Sequence, residues 1–376
     1  MDFDFDDRLD RGGTSSTKYE KYRDRDVLPL WVADMDFRSP PAVIEALQRR
    51  VDHGVFGYVD TPQELVELVR DRLARWYDWR VEAVDLVFLP GVVPALNLAC
   101  RTFCGAGDGV ITNTPIYTPF MSAPRFSGRR LIKVPGRIDK AGWSVDTEAL
   151  ERAAADASLL LLCNPWNPVG RVLTREELAS IAEICVANDV IILLGRDSLR
   201  SGVRWSTSRA DGHPGGDVAD HCVTLMAPSK TFNLAGFGGS FAVIENDALR
   251  ARFLQAKRGI MANVNIMAYE SMIAAYRDGE EWRRALVDYL QGNRDYLAKV
   301  FDSLPGIHMN AVEGTYLAWL DVSELGLEDP PAFFEAAGLG MSEGRRFDDD
   351  RYMRLNFGCA RSMLEEAASR FEAALR

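Results

Sequence analysis

No run of apolar residues approaches the ~20 needed to cross a bilayer as a helix, so no membrane span is expected. The first ten residues, MDFDFDDRLD, are acidic and lack the apolar core of a secretory leader, which points to a cytoplasmic protein. The basic excess of a nucleic-acid binder is missing too. The formal net charge is −11, which favours solubility and argues against a polyanionic partner. The six cysteines stand apart, at 100, 104, 163, 185, 222 and 359. No C-x-x-C occurs and no Cys/His cluster has zinc-ligand spacing, so a metal centre is not expected. Cys100 and Cys104 share a face of an expected helix, but two ligands make no site. Reduced, buried cysteines fit this pattern. Internal repeats and low-complexity linkers are absent as well.

What the chain does have is an alternation of strands and helices. Its 376 residues exceed one compact core of ordinary size, and 47% apolar content is enough to bury a core. Pro40 and Pro62 open two helices. Strand patterns follow at DLVFL, GVITNTP, SLLLLCNP, DVIILLG, CVTLMAPS and GSFAVIEN, with helices between them, one opened by a Thr174-x-x-Glu177 capping box. This predicts an α/β domain with a mostly parallel sheet and helices on both faces. From about Ala268 long charged helices and short strands predict a smaller α+β domain. The expected organisation is a segment 1–44 packing with the small domain, a large domain 45–267 and a small domain 268–376.

Three segments follow strands and are rich in turn formers and polar groups. In LPGVVPALNLA, 89–99, a glycine turn feeds a helix N-terminus, where free N–H groups and the helix dipole favour an anion. Such turns are common, so alone this is weak. In CNPWNPVGR, 163–171, two Asn-Pro pairs can continue neither strand nor helix. One such pair would read as a plain turn; two look like a rigid loop holding Asn167 over a ligand. In LMAPSKTFNLAGFGGS, 225–240, Lys230 follows an apolar strand among Ser229, Thr231 and Asn233. A surface lysine is the default for any loop. One emerging from a buried strand is costly unless paired or deprotonated, and desolvation suits an amine that forms a Schiff base.

In this order and spacing, the three segments resemble the fold-type I pyridoxal 5′-phosphate (PLP) enzymes. Within them the chain resembles the cystathionine β-lyase-like branch of the class I/II aminotransferase family. The likeness spans almost the whole chain. It includes WVADMDF at 31–37, GVFGY at 54–58, PGVVPAL at 90–96, TPIYTPF at 114–120, NPWNPVGR, PSKTFNLAG at 228–236 and RLNFGCARS at 354–362. The resemblance implies a large domain built on a seven-stranded, mostly parallel sheet. It implies that Lys230 bonds to the cofactor and moves the substrate's α-proton, with Ser229 beside it. Tyr117 would stack on the pyridine ring and Asn167 would donate to its phenolate oxygen. Val92 and Val93 would hold the phosphate through their backbone. Tyr58 would reach the cofactor of a neighbouring subunit, which implies a homodimer with shared sites. Arg354 would grip the substrate carboxylate, and WVADMDF, with Trp31 and Asp34, would line the entrance. Trp166 stands where relatives often carry histidine.

One position departs from the family pattern. After the strand VIILL the family reads SDEIH, with the aspartate on the pyridine nitrogen, whereas here Gly195 takes its place and Arg196 follows. A bulge could bring Asp197 there, since strand alternation aims 195 and 197 the same way. Alternatively the nitrogen meets water, Arg196 or Ser198 and the ring is a weaker electron sink. A degenerate relative is the third reading. A weak sink burdens transamination more than β-elimination, in which the leaving group departs as the proton is taken. The expected activity is therefore a carbon–sulfur β-lyase acting on cystathionine or another S-substituted L-cysteine, with a specialised, antibiotic-type pathway as one setting. The alternatives are an oxygen-dependent decarboxylating deaminase of an S-linked cysteine conjugate, as in lincosamide-type pathways, an aminotransferase, and a non-enzymatic PLP-binding regulatory relative.

Overall fold

The computed structural model describes residues 3–139, 142–197 and 218–376. Contacts divide the chain into two units, one of Ser39–Trp166 and Val172–Glu280, the other of Met1–Arg38, Asn167–Arg171 and Glu281–Arg376.

The larger unit is built on seven strands: β1 Leu86–Leu89, β2 Gly109–Thr114, β3 Arg130–Pro135, β4 Leu159–Asn164, β5 Ile191–Asp197, β6 Cys222–Ala227 and β7 Ser240–Val243. Their order across the sheet is β1-β7-β6-β5-β4-β2-β3. The pairs from β6 to β3 are parallel, and β7 runs antiparallel to both its neighbours. Strands β4 and β6 are buried almost throughout, as expected where helices cover both faces. Strand β3 lies at the edge with most residues at least partly exposed, so its sequence carries little strand signal.

Helices α1 Pro41–His53, α2 Gln63–Tyr77, α3 Val92–Phe103, α4 Thr118–Phe126 and α5 Arg175–Ala187 join the strands or precede them. The expected capping box forms at α5: Thr174 Oγ1 accepts from the Glu177 N–H and Glu177 Oε2 from that of Thr174. Helix α6, Ile266–Asp278, packs Ala268, Tyr269 and Met272 against Val69, Leu73 and Tyr77 of α2. That shared core places α6 in the larger unit, and the division falls at Glu280 and not near residue 268.

The smaller unit holds α7 Glu280–Ser303, whose first residue belongs to the larger unit, and α8 Arg361–Ala374. Its antiparallel sheet has strands β8 His308–Met309, β9 Leu317–Asp321, β10 Ser342–Glu343 and β11 Tyr352–Asn356 in the order β8-β9-β11-β10. The N-terminal segment joins this unit. Leu28–Pro29 pairs in parallel with Leu339–Gly340, and the Asp36 N–H donates to Gly358 O. Glycine is required at 358, where a Cβ would stand 2.7 Å from Met35 Cγ.

Candidate active site

In the larger unit the candidate groups gather at the C-terminal ends of the parallel strands, where open α/β sheets bind ligands. Lys230 is half-buried, three residues beyond β6. Its turn is closed by hydrogen bonds from Phe232 N to Pro228 O at 2.9 Å and from Leu234 N to Ser229 O at 2.8 Å. The chain then presses back on the turn before α3. Gly238 has a left-handed backbone (φ 75°), and a Cβ there would lie 2.6 Å from Pro90 O. Glycine thus lets the Lys230 loop touch the Pro90–Gly91 turn. Helix α3 starts at Val92, and the first N–H groups of any helix lack intrahelical acceptors. Pro94 brings no donor, so Val92 and Val93 carry the open ones.

Tyr117 is the N-cap of α4 and its side chain is 38% exposed, whereas Phe120, one turn on, is 3% exposed. Phe120 reaches β5. A Cβ on Gly195 would stand 3.1 Å from Phe120 Cζ. The Gly195 backbone is not left-handed, so glycine there answers to this close packing and not to chain conformation. The ladder through β5 is one-to-one: Cys163 and Leu225 flank Gly195, and Asp197 pairs with Ala227. No extra residue interrupts it, so the bulge considered for bringing Asp197 into place is absent from 191–197. The side chains of Arg196 and Asp197, and all of Ser198, lie outside the described residues.

Two further expectations fall in this unit. Trp166 is buried; its Nε1 donates to Pro115 O at 2.7 Å, and its ring meets Trp143 edge-on at a centroid distance of 6.2 Å. Gly136 makes room for it, since a Cβ there would stand 2.8 Å from Trp166 Cη2. Tyr58 is fully exposed, beside exposed Val55 and Phe56.

The smaller unit has its own cluster, centred on Arg354 in β11. The side chain is 5% exposed. Nη1 donates to Asn167 Oδ1 at 3.0 Å, and Nη2 to Trp31 O at 2.8 Å and Ser342 Oγ at 3.3 Å. Its guanidinium lies over the Phe347 ring, 4.6 Å from the centroid. These three acceptors are neutral. Because arginine only donates, the Asn167 oxygen must face it, which leaves the Asn167 NH₂ group as the outward donor. Trp31 is fixed by its own indole N–H, which donates to Lys18 O at 2.9 Å. Asp34 pairs with Arg11 at 2.8 Å. Burial opposes the Arg11 charge, but bonds to Asp34 and Asp36 outweigh it and hold that proton more tightly than usual.

Sequence reasoning missed Phe120, Ser342, Phe347, Arg11 and Lys18. None of them stands in a segment with a turn or strand-end signature of its own except Phe120, which closes TPIYTPF.

The family model for aminotransferase class I and II matches residues 25–371. Cystathionine beta-lyase PatB of Bacillus subtilis (strain 168) is 35% identical over 390 residues, covering 99% of this chain and 99% of that protein. The crystal structure of OvoB superposes with a TM-score of 0.94 at 43% identity, covering 99% of each chain. Cystalysin from Treponema denticola, whose crystal structure contains a pyridoxal 5′-phosphate cofactor, gives a TM-score of 0.93 at 28% identity over 100% of this chain and 99% of its own.

Proposed function

Since the chain belongs to the aminotransferase class I and II family, we propose that it is a PLP-dependent carbon–sulfur β-lyase. Its substrate is cystathionine or another S-substituted L-cysteine, which with one water gives a thiol, pyruvate and ammonia. The observation that carries this reading is the Lys230 loop held against the Pro90–Gly91 turn, at the strand ends of a chain alike over its full length to a cystathionine β-lyase.

The residues fit the cofactor. A half-buried amine, open helix-terminal N–H groups and an exposed aromatic ring match its aldehyde, phosphate and pyridine ring. When bound, PLP supplies an electron-withdrawing ring that stabilises negative charge at the substrate's α-carbon. Val92 and Val93 hold the phosphate with backbone donors, and Ser229 lies beside Lys230. Tyr117 packs on the ring. The outward NH₂ of Asn167 donates to the ring's oxygen, and Arg354 binds the substrate carboxylate as a fork. The Lys230 amine takes the α-proton. Elimination asks least of the ring, because the thiolate leaves as the proton is removed. Gly195 brings no side chain toward the cofactor, which favours that reaction over transamination.

A second copy of the chain completes the site through Tyr58, whose full exposure beside Val55 and Phe56 supports a homodimer. Free, largely buried cysteines support a reducing, cytoplasmic setting.

The test is the visible absorption spectrum with and without PLP, for the wild type and Lys230→Ala, followed on adding L-cystathionine. A band lost in Lys230→Ala, with pyruvate released on substrate addition, is the expected result. Oxygen uptake without pyruvate would replace the lyase by an oxidative deaminase. No band with excess PLP would overturn the reading.

A further inference from the structure

The motif WVADMDF enters the smaller unit through its backbone as well as its side chains. Each carbonyl from Leu30 to Asp34 has a donor. Leu30 O accepts from Asn356 N at 2.9 Å. Trp31 O accepts from Ser342 Oγ at 2.9 Å and from Arg354 Nη2. Val32 O and Asp34 O share the Asn356 side-chain NH₂. Ala33 O accepts from the Tyr316 hydroxyl at 2.9 Å. The stretch has no regular strand pairing of its own to fix it, so these bonds set where the Trp31 carbonyl stands.

Beneath this comb lies a buried ionic cluster. The Lys18 side chain is 0% exposed and its Nζ bonds Asp36 Oδ2 at 2.7 Å; Asp36 is 4% exposed. Arg11 bridges Asp36 at 2.6 Å and Asp34 at 2.8 Å. Lys18 also reaches Asp34 O at 3.4 Å, and its own carbonyl holds the Trp31 indole. The cluster therefore grips the segment on both sides of Trp31–Asp34. Buried pairs of this kind often add little net stability over apolar replacements, so what they contribute is a fixed geometry.

We propose that Lys18, with Asp36 and Arg11, is a positioning residue for Arg354: the ionic cluster fixes the Trp31 carbonyl, which aims the guanidinium at the substrate's α-carboxylate. The inference rests on the reading of Arg354 as the carboxylate-binding group.

The experiment compares L-alanine with L-alaninamide, which lacks the carboxylate, as ligands of the PLP-loaded protein. Their dissociation constants are read from the change in tryptophan fluorescence. In Lys18→Met the affinity for L-alanine is expected to fall about tenfold, the effect of one misaimed charge-assisted hydrogen bond, while that for L-alaninamide stays unchanged. Lys18→Arg, which keeps the charge, restores most of the difference. A purely structural role would weaken both ligands alike, and that result would overturn the proposal. Tyr316→Phe removes one tooth of the comb without touching the ionic cluster. It is expected to shift the ratio in the same direction by less, and it carries the test if Lys18→Met does not fold. An unchanged ratio in Tyr316→Phe would then overturn the proposal. Arg354→Met separates the two levels. If it leaves the alanine-to-alaninamide ratio unchanged, Arg354 does not bind the carboxylate and both readings fall. If it abolishes the ratio while Lys18→Met does not alter it, only the positioning role is lost.

Discussion

Placing a methyl group on Gly195 tests why a glycine stands at this strand end. A Cβ would lie 3.1 Å from Phe120 Cζ and 3.7 Å from Leu162 O. Phe120 is 3% exposed, so its ring has little room to retreat. Overpacking of this kind costs about 1–3 kcal/mol. Against it stands the backbone entropy recovered when glycine leaves a strand, about 0.5–1 kcal/mol. Gly195→Ala should therefore be destabilised by about 1 kcal/mol net, a fall of roughly 2–4 °C in the melting temperature for a unit of this size. Calorimetry on the PLP-free protein removes the ligand contribution, which at any PLP concentration would vary with each variant's affinity. Phe120→Leu removes the ring that causes the clash. In a double-mutant cycle the two changes should couple by more than about 0.5 kcal/mol, with the alanine less harmful in the leucine background. A Gly195→Ala protein that melts at or above the wild-type temperature, or two changes that simply add, would show that packing against Phe120 is not what the glycine provides.

Two other expectations follow from buried groups. Asn113, in β2, is 3% exposed, and both amide heteroatoms are buried without a hydrogen bond. Asn113→Leu keeps the volume and should stabilise the protein by about 1–2 kcal/mol in urea unfolding; destabilisation would mean that an ordered water serves the amide. Burial pushes the thiols of Cys100, Cys185, Cys222 and Cys359 up to about 12 and that of Cys104 up to about 11. Iodoacetamide at pH 8 should therefore modify half-buried Cys163 first and the other five only on unfolding. Peptide mapping decides it, and early labelling at Cys100 or Cys104 would refute the burial argument.

The fold was legible because its central strands are buried on both faces and so spell themselves as unbroken apolar runs. LLLL at 159–162 and VIILL at 190–194 need no context. Strand β3 carries no such signal, for the converse reason. An edge strand with solvent on most of its residues, RLIKVP, obeys no strong pattern. Helix α6 shows a different limit. Its charge and length resemble the helices after it, and only its packing partners on α1 and α2 assign it to the larger unit. Periodicity reports that a helix has an apolar face, not which neighbour covers it.

At the site the division is between side chains that act in person and side chains that act through the backbone. Lys230 and Asn167 stand in polar, turn-rich loops that follow buried strands, and residue type marks them there; Tyr117 and Arg354 come only from the resemblance of TPIYTPF and RLNFGCARS to a known family. The family resemblance implies that WVADMDF lines an entrance with Trp31 and Asp34, because a motif is matched by its side chains. In the structure the Trp31 indole and the Asp34 carboxylate are engaged by Lys18 and Arg11, and the part facing Arg354 is a carbonyl oxygen. Every residue owns a carbonyl, so no letter in the sequence marks one as important. What could mark it is the company it requires: a buried lysine near the N-terminus, two acids spaced to meet it, an asparagine that bonds two carbonyls, and a glycine at 358 that lets Met35 pass. The N-terminal and C-terminal members of this set lie over 300 positions apart along the chain. Their common purpose exists only after the N-terminal segment has joined the C-terminal sheet. Substitutions at Lys18 or Asn356 should therefore resemble active-site lesions while touching no substrate atom.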